Sequence, residues 1–106
     1  IERAHARGLK IYAATLTPFE GVTIPNYWSE EGEATRQALN EWIRTSKAYD
    51  GVIDFDKLIR DPGNPRRIAP QYSSVDNLHP NDAGYQTMGN AVDLALFKTA
   101  TGKGSR

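Results

Sequence analysis

Two short apolar runs, over residues 9–17 and 52–55, flank one long helical pattern, and that spacing leaves few folds open. The first run stops at Pro18 and reads as a buried parallel strand. Ser29 then offers an N-cap, with Glu30, Glu31 and Glu33 placed to suit the helix dipole. From there a helix is expected to about Tyr49, with Ala38, Leu39, Trp42, Ile43, Ser46 and Tyr49 as its inward stripe and Trp42 in the core. Asp50-Gly51 ends it, and Val52-Ile53-Asp54-Phe55 forms the second strand. Strands that alternate with helices run parallel and connect by right-handed crossovers, so the chain reads as α/β.

The segments around this unit extend the same pattern. Ile1-Glu2-Arg3-Ala4-His5-Ala6-Arg7-Gly8 reads as the last two turns of an amphipathic helix, with His5 solvated and Gly8 as a left-handed cap. Domains seldom open that way, so the chain is expected to be a piece of something longer. Residues 20–28 read as a loop, and residues 56–60 as one helical turn. Asp61-Pro62-Gly63-Asn64-Pro65 is turn chemistry, with irregular chain expected through Ser74. A last helix is expected from about Asn81 to Thr99, burying Tyr85, Met88, Val92, Ala95 and Leu96, and residues 100–106 read as a disordered tail. Two strands alone make a poor sheet, so the pattern is half of a doubly wound domain.

Composition excludes several function classes. At 106 residues the chain holds at most one small domain. Its 13 basic and 13 acidic residues cancel, which argues against a nucleic-acid surface. Its apolar stretches are far short of a transmembrane segment. With no cysteine, disulfides, thiolate nucleophiles and zinc-thiolate sites are excluded, and the compartment stays open between cytoplasm, periplasm and exterior.

Chemistry concentrates in Asp76-Asn77-Leu78-His79-Pro80-Asn81-Asp82-Ala83-Gly84-Tyr85. A general base needs an imidazole with one nitrogen facing the reacting group and the other held by a carboxylate. A D-x-x-H spacing on a tight loop can bring both side chains to one side. Pro80 restricts His79 to extended backbone, and Asn81 or Asp82 can cap the helix that follows. A bare D-x-x-H is more often an Asx turn feeding a helix than a catalytic pair.

The longer string shifts that balance. It resembles the final conserved block of SGNH (GDSL-type) serine ester hydrolases, D-x-x-H-P-N-x-x-G-Y, through Asp76, His79, Pro80, Asn81, Gly84 and Tyr85. Residues 4–10, Ala14-Thr15-Leu16-Thr17-Pro18-Phe19, and Tyr49-Asp50-Gly51-Val52-Ile53-Asp54-Phe55 are similar to the helix, strands and loops that precede this block in bacterial esterases of the family. The resemblance implies a partial flavodoxin-like three-layer α/β/α unit and a carboxylic-ester hydrolase, with His79 as base and Asp76 as its orienting acid. It implies neither a cofactor nor a metal. Its substrates would be esters: lipid, acetylated sugar or aryl. The family's G-D-S nucleophile motif and its G-x-N-D asparagine are not in this sequence, and none of Ser29, Ser46, Ser73, Ser74 and Ser105 follows Gly-Asp.

Weaker candidates lie at the carboxyl end of the first strand, where open α/β sheets bind ligands. Thr15, Thr17 and Phe19 could line a substrate pocket there, or simply form a strand end with a proline turn. Tyr27 and Trp28 are expected to cover the sheet edge rather than act as a lid. The rival reading of the whole is a non-catalytic structural or binding fragment. In either case the apolar strand over residues 9–17 has no Pro or Lys from Ile11 to Leu16 to guard its edge, with Lys10 only at its start. Self-association, or pairing with the N-terminal half the resemblance implies, is therefore expected.

Overall fold

A computed structural model describes residues 1–98 of the chain. Its first helix, α1 (Glu2–Ala6), ends as the sequence implies: Gly8 has φ +71°, its amide reaches the His5 carbonyl, and the Leu9 amide reaches that of Ala4. Those two bonds are a Schellman closure, which needs the left-handed backbone that glycine adopts without strain. His5 is not simply solvated. Its Nε2 lies 2.8 Å from Asp50 Oδ2, and the same carboxylate oxygen takes the Ile11 amide at 2.7 Å.

Strand β1 (Tyr12–Ala14) pairs in parallel with β2 (Gly51–Ile53), in the register Tyr12 to Gly51 and Ala14 to Ile53. The expected parallel α/β unit is present, with strands shorter than the apolar runs suggest. Between them runs α2 (Glu30–Thr45), capped by the Ser29 hydroxyl, which accepts the Gly32 amide. It stops four residues short of Tyr49.

The expected inward stripe of α2 is wrong in half of its six members. Ile43 is buried, but Ala38, Leu39 and Trp42 are exposed, and Trp42 stacks edge-on against Tyr49. The buried face carries Glu33, Arg36, Asn40 and Ile43 instead. The reason lies at the carboxyl end of β1, where the chain leaves the sheet and its backbone groups need partners. Asn40 answers both groups of Leu16: its Oδ1 accepts the amide at 2.8 Å and its Nδ2 donates to the carbonyl at 2.9 Å. Arg36 donates to the Leu16 carbonyl, grips Glu33 through two nitrogens at 2.9 and 2.8 Å, and reaches Asp56 at 2.7 Å. Meanwhile the parallel sheet has two strands among the described residues, too narrow to cover the Leu39–Trp42 side of the helix.

Asp54 caps α3 (Phe55–Ile59) by accepting the Lys57 amide. Burial pushes its carboxyl up, but hydrogen bonds from Arg44, Thr15 and the Lys57 amide outweigh this and hold it at about 2. Arg44 bridges Asp54 and Asp56, and Arg60 adds a further contact to Asp56. Ile59, fully enclosed, with Ile43, Ile68 and Ala69 forms the small apolar core beside this network.

The stretch expected to be irregular through Ser74 contains an antiparallel pair, β3 (Arg60–Asp61) and β4 (Asn64–Ile68). Polar side chains and Pro65 hide it from periodicity, and it forms because the Asp61 carboxylate accepts the Gly63 amide and tightens the turn. A single 3₁₀ turn, Pro70–Tyr72, leads into the loop before the last helix.

That helix, α4 (Asp82–Asn90), ends well before the expected boundary, and a separate 3₁₀ turn covers Leu94–Phe97 with Asp93 as its cap. Gly89 and Asn90 are poor helix formers, and Asp93 prefers to cap. The apolar face is correspondingly less buried than expected: Tyr85 and Ala95 are exposed, while Met88, Val92 and Leu96 are half-buried. The expected tail over 100–106 lies outside the described residues. No helix among the described residues is long and apolar enough to cross a membrane.

Gly84 sits where α4 meets the preceding loop. A Cβ there would lie 2.6 Å from the Tyr72 carbonyl oxygen and 2.9 Å from Pro80 Cβ. Gly84→Ala is expected to cost about 1–3 kcal/mol, as overpacking at a site that cannot relax does. At Gly89 nothing lies within 4 Å of the same atom. Gly89→Ala should therefore stabilise by up to ~1 kcal/mol through helix propensity. Urea midpoints of the two variants, moving in opposite directions, check this.

Candidate active site

The Asp76–His79 loop is closed at its base by backbone bonds. Ser73 and Pro80 form an antiparallel bridge, the Ser74 amide donates to the His79 carbonyl at 3.0 Å, and the Asn81 amide donates to the Tyr72 carbonyl at 2.8 Å. Asn81 also fastens the loop to the helix. Its Oδ1 accepts the Gly84 amide as N-cap of α4, and its Nδ2 donates to the carbonyls of Gln71 and Ser73. The residues after the histidine thus anchor the pair to a regular element.

Within the loop the two carboxylate oxygens of Asp76 have separate tasks. Oδ1 accepts the amides of Leu78 and His79 at 2.9 and 3.0 Å. Oδ2 lies 2.7 Å from His79 Nδ1. Ser74 Oγ stands 2.7 Å from both Asp76 Oδ1 and the His79 carbonyl oxygen, and its one proton serves either. The ring contact, joined by the His79 amide, the Ser74 hydroxyl and the Leu78 amide, holds the Asp76 carboxyl far below the usual carboxylate range. An ionised Asp76 fixes the proton of a neutral imidazole on Nδ1 and leaves Nε2 as the basic nitrogen. Nε2 has no hydrogen-bond partner among the described residues, and the His79 side chain is 64% exposed.

This arrangement can take a proton from a group brought to Nε2 and return it. None of the chain's own described serines is in that position. Ser29 and Ser46 accept backbone amides near the ends of α2, and Ser73 and Ser74 hydrogen-bond within the loop that carries the pair.

The three residues at the end of β1 part company. Thr15 is 4% exposed, its hydroxyl donating to Asp54 and accepting the Asp56 amide. Thr17 and Phe19 line a pocket of about 290 Å3 with Leu16, Gly32, Thr35, Arg36 and Leu39. Tyr27 packs edge-on against Phe19, while Trp28 lies under the Arg66 guanidinium, 4.7 Å away, and so joins its loop to β4. Sequence reasoning passed over Ser74 and Asn77, although Ser74, Asp76 and Asn77 are all residues that hydrogen-bond locally in turns.

The family model described as GDSL-like Lipase/Acylhydrolase matches residues 1–87 of the chain. No curated protein matches the sequence. Among solved structures, the fold is similar to that of a GDSL-like lipase from Bacteroides thetaiotaomicron VPI-5482, with a TM-score of 0.70 and 19% identity. The match covers 91% of this chain and 46% of that one, so the chain spans a little under half the length of the similar structure.

Proposed function

Because the chain belongs to the GDSL-like lipase/acylhydrolase family, we propose that it supplies the Asp-His part of a Ser-His-Asp triad for hydrolysis of a carboxylic ester. The observation that carries this is the 2.7 Å contact between Asp76 Oδ2 and His79 Nδ1 on a ring whose Nε2 is open. The nucleophilic serine and most of the oxyanion donors come from outside this chain, since no serine here follows Gly-Asp. A polypeptide that unites the two parts, or the chain reassembled with the part that supplies the serine, is the complete enzyme.

In that enzyme the serine oxygen attacks the ester carbonyl while its proton passes to His79 Nε2. Asp76 holds the ring in place and stabilises the imidazolium. As the tetrahedral intermediate collapses, the ester C–O bond breaks and the imidazolium returns the proton to the leaving alcohol. Water then attacks the acyl-serine, again losing a proton to Nε2, and the acid departs as the serine is restored. Thr17 and Phe19 line a pocket for part of the substrate, with Thr15 supporting the strand end beneath them. Lipid, acetylated-sugar and aryl esters all remain within this reading. Pairing of the chain with the part that bears the serine, across the edge of β1, belongs to the same proposal.

A second reading, a non-catalytic structural or binding fragment, is favoured by the lack of a nucleophile motif in the sequence. A fluorophosphonate probe followed by intact mass separates the two. The chain by itself is expected to show no adduct on any of its five serines. The complete enzyme is expected to take one label, on a serine outside this chain. Stoichiometric labelling of one of the five would overturn the assignment of the nucleophile, and an unlabelled, inactive complete polypeptide would leave the second reading standing.

A further inference from the structure

Asn77 lies between the two members of the pair and touches neither side chain, yet the loop is built around it. Its backbone is left-handed, with φ +57°, a conformation that asparagine tolerates better than other residues with a Cβ. This reversal lets the next two amides, of Leu78 and His79, converge on Asp76 Oδ1. With Oδ1 committed, Oδ2 is left for the ring.

The side chain reaches much further along the sequence. Asn77 Nδ2 donates to the Gly21 carbonyl at 3.1 Å, and Ser73 Oγ lies 3.3 Å from Asn77 Oδ1. Beside this strap the Thr23 amide donates to the Asp76 carbonyl at 3.0 Å. The Asn77 amide itself donates to the Ser74 carbonyl at 3.2 Å. Gly21 and Thr23 belong to the loop that follows Phe19, and that loop is itself held to β4 by the Glu20 amide on the Arg66 carbonyl. The tip of an otherwise exposed loop is therefore tied to the body of the molecule on its open side.

We propose that Asn77 is a positioning residue for the pair: by strapping the catalytic loop to Gly21 it keeps Asp76 Oδ2 on His79 Nδ1, and so selects the imidazole tautomer whose bare nitrogen is Nε2. This rests on reading the pair as the enzyme's proton-transfer device, and its test separates the two claims. Asn77→Gly retains access to the left-handed backbone and removes the strap to Gly21 together with the weaker contact to Ser73. Long-range proton–nitrogen NMR of the His79 ring reads the tautomer directly in this chain, with no need of a nucleophile. The wild-type ring is expected to carry its proton on Nδ1, and the variant to show a substantial share on Nε2. In the complete enzyme the same variant is expected to lose about tenfold in kcat, as a small misplacement of a reacting group does, with KM changed by less than about twofold. A wild-type tautomer and a wild-type kcat would overturn the proposal.

If Asn77→Gly does not fold, Asn77→Asp replaces it: aspartate tolerates the same backbone and loses the donor to Gly21 but adds a carboxylate, whose charge effect is separated by repeating the tautomer measurement at high salt. Failure of both to fold would make the residue merely structural and also overturn the proposal. Should His79→Ala retain full activity, the proton-transfer reading falls, and the tautomer measurement alone decides whether Asn77 positions the ring.

Discussion

His79→Ala in the complete enzyme is expected to lower kcat by about two to four orders of magnitude, the usual loss when a general base is removed. On this reading the ring offers Nε2 to the serine proton, and the other histidine of this chain, His5, is bound to Asp50 near the opposite ends of β1 and β2. Asp76→Asn should be comparably severe. An amide nitrogen placed opposite Nδ1 would favour the wrong tautomer, and the imidazolium would lose its counter-charge. Folding should survive both changes, because the His79 side chain is exposed and the bridge between Ser73 and Pro80 is made by backbone. Steady-state kinetics with an activated ester, together with unchanged circular dichroism, check the pair. Near-wild-type turnover by His79→Ala would remove this loop from the mechanism. The pH profile carries a matching sign. A protonated ring cannot accept the serine proton, so activity should fall on acidification. Asp76 is held so far below the usual carboxylate range that it stays ionised meanwhile and adds no second limb.

Arg36→Ala is expected to be the most damaging change to the fold, costing about 3–5 kcal/mol, the usual result of breaking a buried ion pair by removing one partner. Arg36 is 4% exposed and bonds to Glu33, Asp56 and the Leu16 carbonyl at once. Without it the enclosed Glu33 loses its ion-pair partner, Asp56 loses one of the three arginines around it, and a strand-end carbonyl loses a donor. For a small domain with roughly 5–15 kcal/mol of stability in all, that is a large fraction. Arg60→Ala removes a contact to the same Asp56 from a side chain that is 34% exposed, and should cost no more than about 1 kcal/mol. Urea unfolding of the two variants provides the comparison, and equal midpoints would mean that the network contributes little.

Local chemistry in the sequence determined the features that depend on neighbouring residues. The Gly8 closure, the Ser29 and Asn81 caps and the D-x-x-H turn each involve partners within a few positions, so residue identity is enough to specify them. The alternation of strand and helix was legible for the same reason: a short apolar run between a capped helix and a proline has few other uses. The resemblance of the block from Asp76 to Tyr85 then singled out the pair as a candidate, and the family model matches residues 1–87.

Only the tertiary structure decided which face of α2 is buried. A helical wheel ranks Leu39 and Trp42 above Glu33, Arg36 and Asn40, because it counts transfer from water and not the partners waiting inside. Those partners are Leu16, Asp56 and Pro65, between 20 and 29 residues away from Arg36 in the chain, and no local pattern announces them. The β3–β4 pair was hidden likewise, since polar residues around a turn look like loop until a register is imposed. At the site, residue types indicated that Asp76 and His79 could meet, whereas the separate commitments of Oδ1 and Oδ2 came from three-dimensional placement. The bond from Asn77 to Gly21 spans 56 residues, and contacts of that range exist only once β1, its following loop and the loop before α4 have been folded together.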